Sequence, residues 1–276
     1  MSARTVFVTG ASTGIGRATV VRLARDGYQV IAGVRRPSDA PTEAADHVVI
    51  DLADPDSITT ACKEVIARTD DGLAALVNNA GINVNGPFEV LSLDEWRRQF
   101  EVNLFGHLAV TKELLPSLLA TGGRIVTVGS IGGRFSAPFL APYSASKFAV
   151  RAWVDALRIE LAPHGVKVVL VEPGAVATEI WGKGNAHADT IVDGMTEEQQ
   201  LRYGKQITAA RKRASFAESH AVKADVAAAV IAKALSARNP RGRYLVGADA
   251  RVQAAVSILP TRLLDATTRL LLGQPK

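Results

Sequence analysis

The sequence predicts an α/β fold in which a mostly parallel sheet of about seven strands carries helices on both faces. Short apolar runs alternate with helical patterns along the chain, and this alternation is typical of parallel sheets. The runs are almost continuously apolar, as expected for strands that are buried on both faces. The 276 residues, 47% apolar and 21% charged, suffice for a core without disulfides or metals. We therefore expect residues 1–276 to form a single domain.

The expected strands are short apolar runs bounded by turn residues. In chain order they are Thr5–Thr9, Gln29–Ala32, Val48–Ile50, Leu73–Val77, Arg124–Val128, Val166–Val171 and Arg243–Val246. The expected helices have apolar residues at helical spacing between these runs. They are Ile15–Arg25, Asp56–Arg68, Leu93–Leu119, Tyr143–Leu161, Glu197–Phe216 and Lys223–Leu235. Asp54-Pro55 is a helix start signal, and the longest helix is expected to break near Gly106 or Pro116.

Charge and cysteine content exclude several classes of protein. The net charge of +5 comes from 32 basic and 27 acidic residues. The densest basic cluster, Arg211-Lys212-Arg213, is interpreted as a solvated helix face, because no nucleic-acid-binding signature accompanies it. The single cysteine, Cys62, cannot form an intramolecular disulfide and is expected to be a buried helix residue. We see no signal peptide and no apolar stretch of roughly 18 residues, which favours a cytoplasmic protein without a transmembrane helix.

The C-terminal tail, residues 249–273, has the pattern of an amphipathic helix. Its leucines and isoleucine are interrupted by Arg262, Asp265 and Arg269. One interpretation is that the apolar side packs on the fold or on a second subunit. The other is that the tail makes peripheral contact with a membrane surface.

A glycine-rich segment connects the first expected strand to the first expected helix. Glycine permits a tight turn, because residues with a Cβ atom clash there. Backbone N–H groups and the helix N-terminus then face an anion, such as the pyrophosphate of a dinucleotide. The residues expected to bind it are Gly10, Ser12, Thr13, Gly14, Ile15 and Gly16. Their spacing, G-x-x-x-G-x-G, differs from the G-x-G-x-x-G dinucleotide fingerprint.

Five further elements follow in order along the chain. They are Asn78-Asn79-Ala80-Gly81, Asn103, Ser130, the pair Tyr143 and Lys147 in Y-x-x-x-K spacing, and Pro173-Gly174 with Thr178. Together with Thr9–Gly16, these elements resemble the short-chain dehydrogenase/reductase family. The resemblance covers about Thr5 to Thr178 and implies a doubly wound Rossmann domain with its ligand crevice at the C-terminal strand ends. It also implies cofactor contacts from Asp51, Leu52, Asn79, Ala80, Gly81, Tyr143, Lys147, Pro173, Gly174, Val176 and Thr178.

Four of these residues are candidates for catalysis. Tyr143 and Lys147 are neighbours on one helix face. A nearby ammonium and the positive charge of an oxidised nicotinamide are expected to lower the pKa of Tyr143, so that it acts as general acid or base. The Ser130 hydroxyl is expected to hydrogen-bond the same substrate oxygen. The resemblance implies that Asn103 holds a water that connects Lys147 to solvent.

The end of the second strand bears on cofactor choice. An acidic residue there would favour NAD by binding the ribose 2′-hydroxyl, and the sequence has none. Arg35 is expected to pair with the 2′-phosphate of NADP(H), with Arg36 and Ser12 helping. The alternative interpretation is that both arginines are merely exposed to solvent, in which case the protein could be an NAD-preferring dehydrogenase. Asp51 resembles the family residue at the adenine edge, and a capping or surface carboxylate is its alternative.

Residues 178–222 lie where the resembling family places a substrate lid. Its apolar candidates for lining a pocket are Ile180, Trp181, Ile191, Val192, Met195, Tyr203 and Phe216. Phe135, Phe139 and Leu140 add apolar surface between Ser130 and Tyr143. We therefore expect a lipophilic substrate of the steroid, retinoid or long-chain carbonyl kind.

The expected activity is hydride transfer between NADP(H) and a carbonyl or alcohol carbon. A non-catalytic NADP-binding regulator is the first alternative, although all four catalytic candidates are intact. A sugar-nucleotide epimerase or dehydratase is the second, but only about a hundred residues follow Pro173 to form its substrate domain. The histidines show no metal spacing, so no metal is expected. The resemblance also implies that helices Leu93–Leu119 and Tyr143–Leu161 pair between subunits in a homodimer or homotetramer.

Overall fold

The structure is a computed structural model that describes residues 4–69 and 71–271. Its strands are β1 (Thr5–Thr9), β2 (Gln29–Val34), β3 (Asp46–Val49), β4 (Ala75–Asn78), β5 (Arg124–Val128), β6 (Lys167–Pro173), β7 (Val176–Ala177), β8 (Val222–Lys223) and β9 (Arg243–Val246). Seven of them form one sheet in the order β3-β2-β1-β4-β5-β6-β9, with every neighbouring pair parallel. The strands are added outward in opposite directions from the centre: β2 and β3 lie on one side of β1, whereas β4, β5, β6 and β9 lie on the other. This is the doubly wound Rossmann arrangement, and it confirms the predicted fold class.

Helices cover both faces of this sheet and create two apolar cores. The helices are α1 (Gly14–Arg25), α2 (Pro55–Ala67), α3 (Leu93–Phe100), α4 (Gly106–Thr121), α5 (Ala141–Leu161), α6 (Glu179–Asp193), α7 (Glu197–Ser219), α8 (Ala224–Ser236), α9 (Ala248–Val256) and α10 (Thr261–Leu271). The first core lies between the sheet and α2, α4 and α5, and Cys62 is buried in it as predicted. The second core lies between the sheet and helices α1 and α8.

The predicted start of α2 is confirmed by its cap. Pro55 is the first helical residue, and the side chain of Asp54 accepts hydrogen bonds from the N–H groups of Asp56 and Ser57. Proline suits this position because its missing N–H would be unsatisfied in any case. The cap satisfies two other N–H groups of the first turn.

The predicted long helix breaks between α3 and α4 at a π-helical turn, Glu101–Phe105. Gly106 follows this turn, and a Cβ atom there would meet the backbone of Leu52 at 2.5 Å. The regular α-helix is thus interrupted near Gly106, but the chain does not leave the helix there, since Glu101, Phe105 and Gly106 all have right-handed helical backbone angles. The alternative at Pro116 is wrong, because this proline lies within α4.

The segment after β6 is more helical than the sequence predicts. One helix was expected near Glu197–Phe216, whereas the structure has both α6 and α7. Gly182 and Gly184 lower the helical propensity of α6, which explains why no clear helical pattern is visible in the sequence there. The short strands β7 and β8 pair with each other before and after these helices.

The C-terminal tail forms two helices, α9 and α10, where one was expected. Pro260 lies between them and cannot continue α9, because proline has no backbone N–H to donate. Leu272 and Gly273, the last residues of the expected tail, lie outside the described residues. No helix within residues 4–69 and 71–271 combines the length and apolarity needed to cross a membrane.

Candidate active site

The glycine-rich turn joins β1 to α1 and has the geometry of an anion site. Gly10 and Gly14 have φ angles of +64° and +54°, which favour glycine. A Cβ atom at Gly16 would overlap the Gly10 carbonyl oxygen. The Thr13 side chain does not cap α1, and the first turn of α1 carries no acidic residue. Its N–H groups and its dipole therefore favour an anion, so these residues fit the pyrophosphate of a dinucleotide.

The loop after β4 is fastened to this glycine turn. The Thr9 hydroxyl accepts hydrogen bonds from the N–H groups of Asn79 and Ala80 at 3.0 and 3.2 Å. The Asn79 carboxamide donates to the carbonyl oxygens of Thr9 and Gly10 at 2.9 and 3.1 Å. These bonds hold the predicted cofactor residues Asn79, Ala80 and Gly81 beside the turn.

The structure brings three catalytic candidates together at the carboxyl edge of the sheet. Lys147 is buried on α5, and its Nζ donates to the Val128 carbonyl oxygen at 3.0 Å. The same Nζ lies 5.9 Å from the centre of the Tyr143 ring. Ser130 and Tyr143 flank Gly132, where a Cβ atom would lie 3.4 Å from both Ser130 Oγ and Tyr143 Cε1. One small substrate oxygen can therefore reach both hydroxyl groups.

Asn103, the fourth candidate, holds the loop that follows Gly81. Its Oδ1 accepts from the Ile82 N–H at 2.8 Å, and its Nδ2 donates to the Ile82 carbonyl at 3.1 Å. Gln99, one helical turn earlier, accepts from the Val84 N–H at 2.7 Å and donates to the Ile82 carbonyl at 3.0 Å. Both side chains are fully buried. Sequence reasoning missed Gln99, although its spacing of four residues from Asn103 puts both on one helix face.

Burial shifts the pKa values of the two titratable candidates. It lowers the pKa of Lys147 to about 8. It raises the pKa of Tyr143 above its ordinary value, and the hydrogen bond with Ser130 opposes this rise. The expected lowering of the Tyr143 pKa by Lys147 is therefore not observed, because burial dominates. At pH 7 the Tyr143 side chain is a neutral phenol and Lys147 is an ammonium.

His107 is a second buried residue that sequence reasoning left aside. Its Nε2 lies 2.7 Å from the Ala80 carbonyl oxygen, as expected for a satisfied histidine, but Nδ1 is buried without a partner. Burial, followed by the charge of Lys147, lowers the pKa of His107 to about 4. The ring is therefore neutral at pH 7 and donates from Nε2 to Ala80. Its spacing of four residues from Asn103 is the signal that would have found it.

Glu172 forms an ion pair with Arg134. Its carboxylate is buried at the end of β6 and accepts two hydrogen bonds from Arg134, at 2.8 and 2.6 Å. These bonds raise the pKa of Arg134. The pair ties the chain just after Ser130 to the strand that leads into Pro173.

The residues predicted to select the cofactor lie at the ends of β2 and β3. Arg35 is exposed and has no ion-pair partner within the described part of the chain. Arg36 instead pairs with Asp39 at 2.9 Å, and their interaction raises the pKa of Arg36 and lowers that of Asp39. Asp51 is exposed, as its alternative of a surface carboxylate expects, and accepts a hydrogen bond from the Ala53 N–H; it does not cap a helix, since Asp54 caps α2. Arg35 is thus the better placed of the two arginines to bind a phosphate.

The loop after β6 approaches the glycine turn from the other side. A Cβ atom at Gly14 would lie 2.9 Å from Thr178 Cγ2, so these two predicted residues are in contact range. Asp249, at the start of α9, accepts a hydrogen bond from the Ala175 N–H at 2.7 Å and thereby holds the loop. Sequence reasoning missed this contact of Asp249. The other predicted residues of the loop are Pro173, Gly174 and Val176.

The expected lid residues differ in where their side chains lie. Met195 is buried, whereas Trp181 is half-buried and donates from Nε1 to the Val176 carbonyl at 2.9 Å. The Tyr203 hydroxyl donates to Glu89 at 2.8 Å. Phe216 is 66% exposed and stacks on His220, so its expected place in a pocket is wrong. The half-buried residues Ile180, Ile191, Val192, Phe135, Phe139 and Leu140 remain as candidate walls.

The basic cluster that was expected to be a solvated helix face lies on α7. Arg211, Lys212 and Arg213 are exposed on α7, as a solvated helix face requires. Across residues 4–69 and 71–271, no cluster of three or more histidine, cysteine or acidic side chains is arranged to hold a metal.

The arrangement of these residues is that of a known family. The family model described as short chain dehydrogenase matches residues 4–189. The chain belongs to the short-chain dehydrogenase/reductase family. It is 34% identical to the NADPH-dependent 3-dehydrocapnine reductase of Ornithobacterium rhinotracheale, over 95% of each chain. It is 32% identical to retinol dehydrogenase 5 of Mus musculus, over 98% of this chain and 89% of that protein.

Solved structures of this family share the fold. A short-chain dehydrogenase from Burkholderia cenocepacia in complex with NADP superposes with a TM-score of 0.74 at 26% identity, covering 96% of this chain and 97% of that one. A 3-ketoacyl-(acyl-carrier-protein) reductase from Brucella melitensis complexed with NADH gives 0.70 at 26% identity, covering 88% and 95%. The chain is therefore an oxidoreductase of a family whose members bind NADP or NAD.

Proposed function

We propose that this protein is an NADP(H)-dependent oxidoreductase that acts on a lipophilic carbonyl or alcohol. The observation that carries the proposal is the approach of Ser130, Tyr143 and Lys147 to one another beside the glycine turn. A purely structural tyrosine would not need a serine hydroxyl and a buried lysine at the same strand edge. Buried titratable groups with shifted pKa values in a cleft are typical of active sites.

The proposed mechanism assigns one task to each residue. The nicotinamide supplies or accepts the hydride, which is chemistry that the protein side chains lack. Tyr143 donates its proton to the substrate oxygen when a carbonyl is reduced. Ser130 hydrogen-bonds the same oxygen and orients the carbonyl. Tyr143 is a neutral phenol at neutral pH, which is the form that can donate this proton.

The proposed tasks of Lys147 and Asn103 are positioning and proton supply. Lys147 retains its proton at pH 7, since its pKa is about 8. Its ammonium is held by Val128, close to the Tyr143 ring, and can replace the proton that Tyr143 has lost. Asn103 fixes the backbone of Ile82, next to Gly81 and the lysine. In this role Asn103 acts through the loop that it holds.

Exposed Arg35 supports NADP(H) as the cofactor. Its guanidinium follows β2, is free of ion pairs within the described residues, and can bind a 2′-phosphate through charge-assisted hydrogen bonds. The remaining proposed cofactor contacts come from the glycine turn, the Asn79–Gly81 loop, Asp51-Leu52 and the Pro173–Thr178 loop. The reductase of Ornithobacterium is named for NADPH, which agrees with this assignment. Preference for NAD is the alternative, and it would leave the catalytic assignment unchanged.

A lipophilic substrate is supported by the walls around the site. Ile180, Ile191 and Met195 come from the lid side, α6 and the turn after it, while Phe139 and Leu140 come from the loop before α5. The relative that is a retinol dehydrogenase is named for a lipophilic alcohol. We propose a ketone, aldehyde or alcohol with a sizeable apolar body.

The cofactor assignment is tested by comparing NADPH and NADH oxidation with a panel of aryl, aliphatic and steroid ketones. We expect NADPH to be preferred, and Arg35→Ala to raise the KM for NADPH by about 10- to 100-fold, since a charged hydrogen bond contributes about 1.5–3 kcal/mol. Arg36→Ala is the matched control with a smaller effect, because Arg36 is paired with Asp39. Equal KM values for NADPH in both variants would contradict the role of Arg35. Cofactor binding without any turnover would favour the alternative that the protein is a non-catalytic NADP-binding regulator.

We also propose that the protein is a homo-oligomer that pairs through α4 and α5. Apolar side chains on or next to these helices are exposed in the single chain: Phe105 at 50%, Phe148 at 43% and Ile159 at 69%. Burying them against a second copy would remove apolar surface from water. Light scattering of the purified chain tests this pairing.

Two interpretations of the tail, a subunit contact and a membrane contact, stay open in this proposal. Val252, Ile258 and Leu263 of the tail are exposed, at 64%, 83% and 53%. Arg251 and Arg262 are exposed near them. Flotation with anionic vesicles distinguishes the two interpretations, since a tail that packs on a partner subunit would not carry the protein to the lipid layer.

A further inference from the structure

Three buried polar side chains of the helix that contains the π-helical turn bind the backbone of the loop after β4. Helix residues four apart hydrogen-bond loop residues two apart, in opposite chain directions. The bonded pairs are Gln99 with Val84, Asn103 with Ile82, and His107 with Ala80. Four helical residues rise about 6.0 Å, close to the length of about 6.6 Å that two extended residues span. The helix and the loop therefore match in length along this row of bonds.

The π-helical turn, Glu101–Phe105, keeps the three side chains on one face of the helix. In a regular α-helix, residues four apart are displaced by about 40° around the axis, so His107 would lie about 80° from Gln99. A π-helical turn has i→i+5 hydrogen bonds and rotates less per residue, which reduces this displacement. All three side chains are buried. The interruption of the helix thus aligns the row with the loop.

The position of Ala80 depends on contacts outside the sheet. β4 ends at Asn78, so strand pairing does not hold Ala80. Its N–H donates to the Thr9 hydroxyl at 3.2 Å, and its carbonyl oxygen lies 2.7 Å from His107 Nε2. A Cβ atom at Gly10 would lie 2.7 Å from Ala80 Cα, so the residue packs directly on the glycine turn. His107 therefore holds the side of Ala80 that faces away from that turn.

The hydrogen bond to Ala80 explains why position 107 carries a histidine. A carbonyl oxygen can only accept, so Nε2 carries the proton and Nδ1 is an acceptor. Nδ1 is buried without a partner, which is costly, and a leucine would fill the space without that cost. Within the described residues, the bond to Ala80 is the hydrogen bond that leucine could not make. The histidine is thus accounted for by what it does to Ala80.

We propose that His107 is a positioning residue for the cofactor, because its Nε2–H holds the Ala80 carbonyl and thereby fixes the Asn79–Gly81 loop against the glycine turn. This inference rests on the part of the proposed function in which that loop contacts the nucleotide. His107 acts through Ala80. A loop that is already in place when the nucleotide arrives loses less conformational entropy on binding, so the bond raises the affinity for NADPH.

Titration of the purified protein with NADPH, followed by the fluorescence of the nucleotide, tests this role without turnover. His107→Leu removes the donor, and the Kd for NADPH should rise by about tenfold or more, since the loop must then be ordered on binding. His107→Gln should bind like the wild type, because its Nε2 can take the place of the ring Nε2. His107→Asn has a shorter side chain that does not reach Ala80, so it should bind as weakly as His107→Leu.

Steady-state NADPH oxidation adds a second readout. The KM for NADPH should rise in His107→Leu and His107→Asn, while kcat stays within about threefold of the wild type, as expected for a loss of binding alone. In His107→Gln both constants should stay close to those of the wild type.

Thr111→Val is the matched control, because Thr111 is buried one turn further along α4. Its hydroxyl accepts from the Asn78 carboxamide at 2.8 Å, so the variant also loses a buried hydrogen bond. Asn78 lies within β4 and is paired with Thr127 of β5, so the sheet holds it without this bond. Thr111→Val should lower the free energy of unfolding in urea and leave the Kd for NADPH unchanged.

The outcomes separate this inference from the proposed function. An unchanged Kd in His107→Leu, weak binding by His107→Gln, or an equal loss in Thr111→Val would each overturn the role of His107. A fall in kcat at constant Kd would overturn it too, since His107 would then act on the chemistry. NADPH binding without turnover of any carbonyl would overturn the proposed activity, and the Kd values would still decide the role of His107. A wild-type protein that binds neither NADPH nor NADH would overturn both.

Discussion

The catalytic edge of the sheet and the lid helix α7 are held in place by different interactions. At the edge, the polar side chains of Gln99, Asn103 and Lys147 are buried and hydrogen-bonded to backbone. Along α7 no residue is buried, and its links to the rest of the protein include exposed ion pairs of Arg202 and Arg211. Surface pairs contribute about 0–1 kcal/mol each. The comparison indicates that the edge tolerates few substitutions. Substitutions that adapt α7 to a different substrate would, by contrast, cost little stability.

The largest expected difference in kcat is between phenylalanine variants of two tyrosines, one at the edge and one in the lid. Tyr143→Phe removes the proposed proton donor, and we expect kcat to fall by about 10²- to 10⁴-fold. Tyr203→Phe removes a hydroxyl of the lid that bonds Glu89 at the surface, so kcat should change little. Steady-state NADPH oxidation and circular dichroism measure activity and folding. Similar losses in both variants would contradict the contrast between edge and lid.

The same comparison can be made with the free energy of unfolding, by replacing one glycine near the edge and one in α7 with alanine. Gly16→Ala should destabilise the protein by about 3–4 kcal/mol and abolish cofactor binding, because the new Cβ overlaps the Gly10 carbonyl. Gly204→Ala should stabilise α7 by about 0.5–1 kcal/mol, since no atom lies within 4 Å of its Cβ position. Urea denaturation gives both free energies of unfolding. A neutral Gly16→Ala would show that the turn is less constrained than its contacts indicate.

A third prediction uses the pH dependence of stability. The pKa of His107 is about 4 in the folded protein, against 6.5 for an ordinary histidine. Its neutral form therefore stabilises the fold above pH 6.5, and this contribution of roughly 3 kcal/mol is lost as the pH falls towards 4. His107→Gln cannot titrate, so its free energy of unfolding should fall less between pH 7 and 4.5. Parallel pH profiles for the two proteins would argue against a buried, neutral ring.

Much of the edge could be predicted because its residues are fixed by local patterns. Ser130 ends a strand, Tyr143 and Lys147 share a helix face, and Gly10 and Gly16 occupy a tight turn, so sequence order indicates spatial order. Asn79 was named because Asn78-Asn79-Ala80-Gly81 resembles an element of the family. Their spatial assembly required only that parallel strands end at one edge of a sheet.

The parts that could not be predicted depend on contacts between distant segments. The spacing of Gln99 from Asn103 puts both on one helix face, but the role of Gln99 depends on its contacts with Ile82 and Val84, and the spacing does not report those contacts. Phe216 looked like a pocket residue by its type alone, yet the amphipathic pattern of α7 is weak and its ring lies at the surface. Burial also reversed the expected shift in the Tyr143 pKa, which composition cannot reveal.

The second core has a consequence for how this chain is made. Val20 and Leu23 of α1 pack against Ile231 and Leu235 of α8, more than two hundred residues later in the chain. During synthesis the glycine-rich turn and α1 therefore emerge long before α8, and α1 keeps an apolar stripe exposed on the ribosome. Pairing across such long sequence separations is slow, and exposed apolar surface invites aggregation meanwhile. A fragment that ends before α8 would keep every proposed catalytic residue and still lack a folded cofactor site.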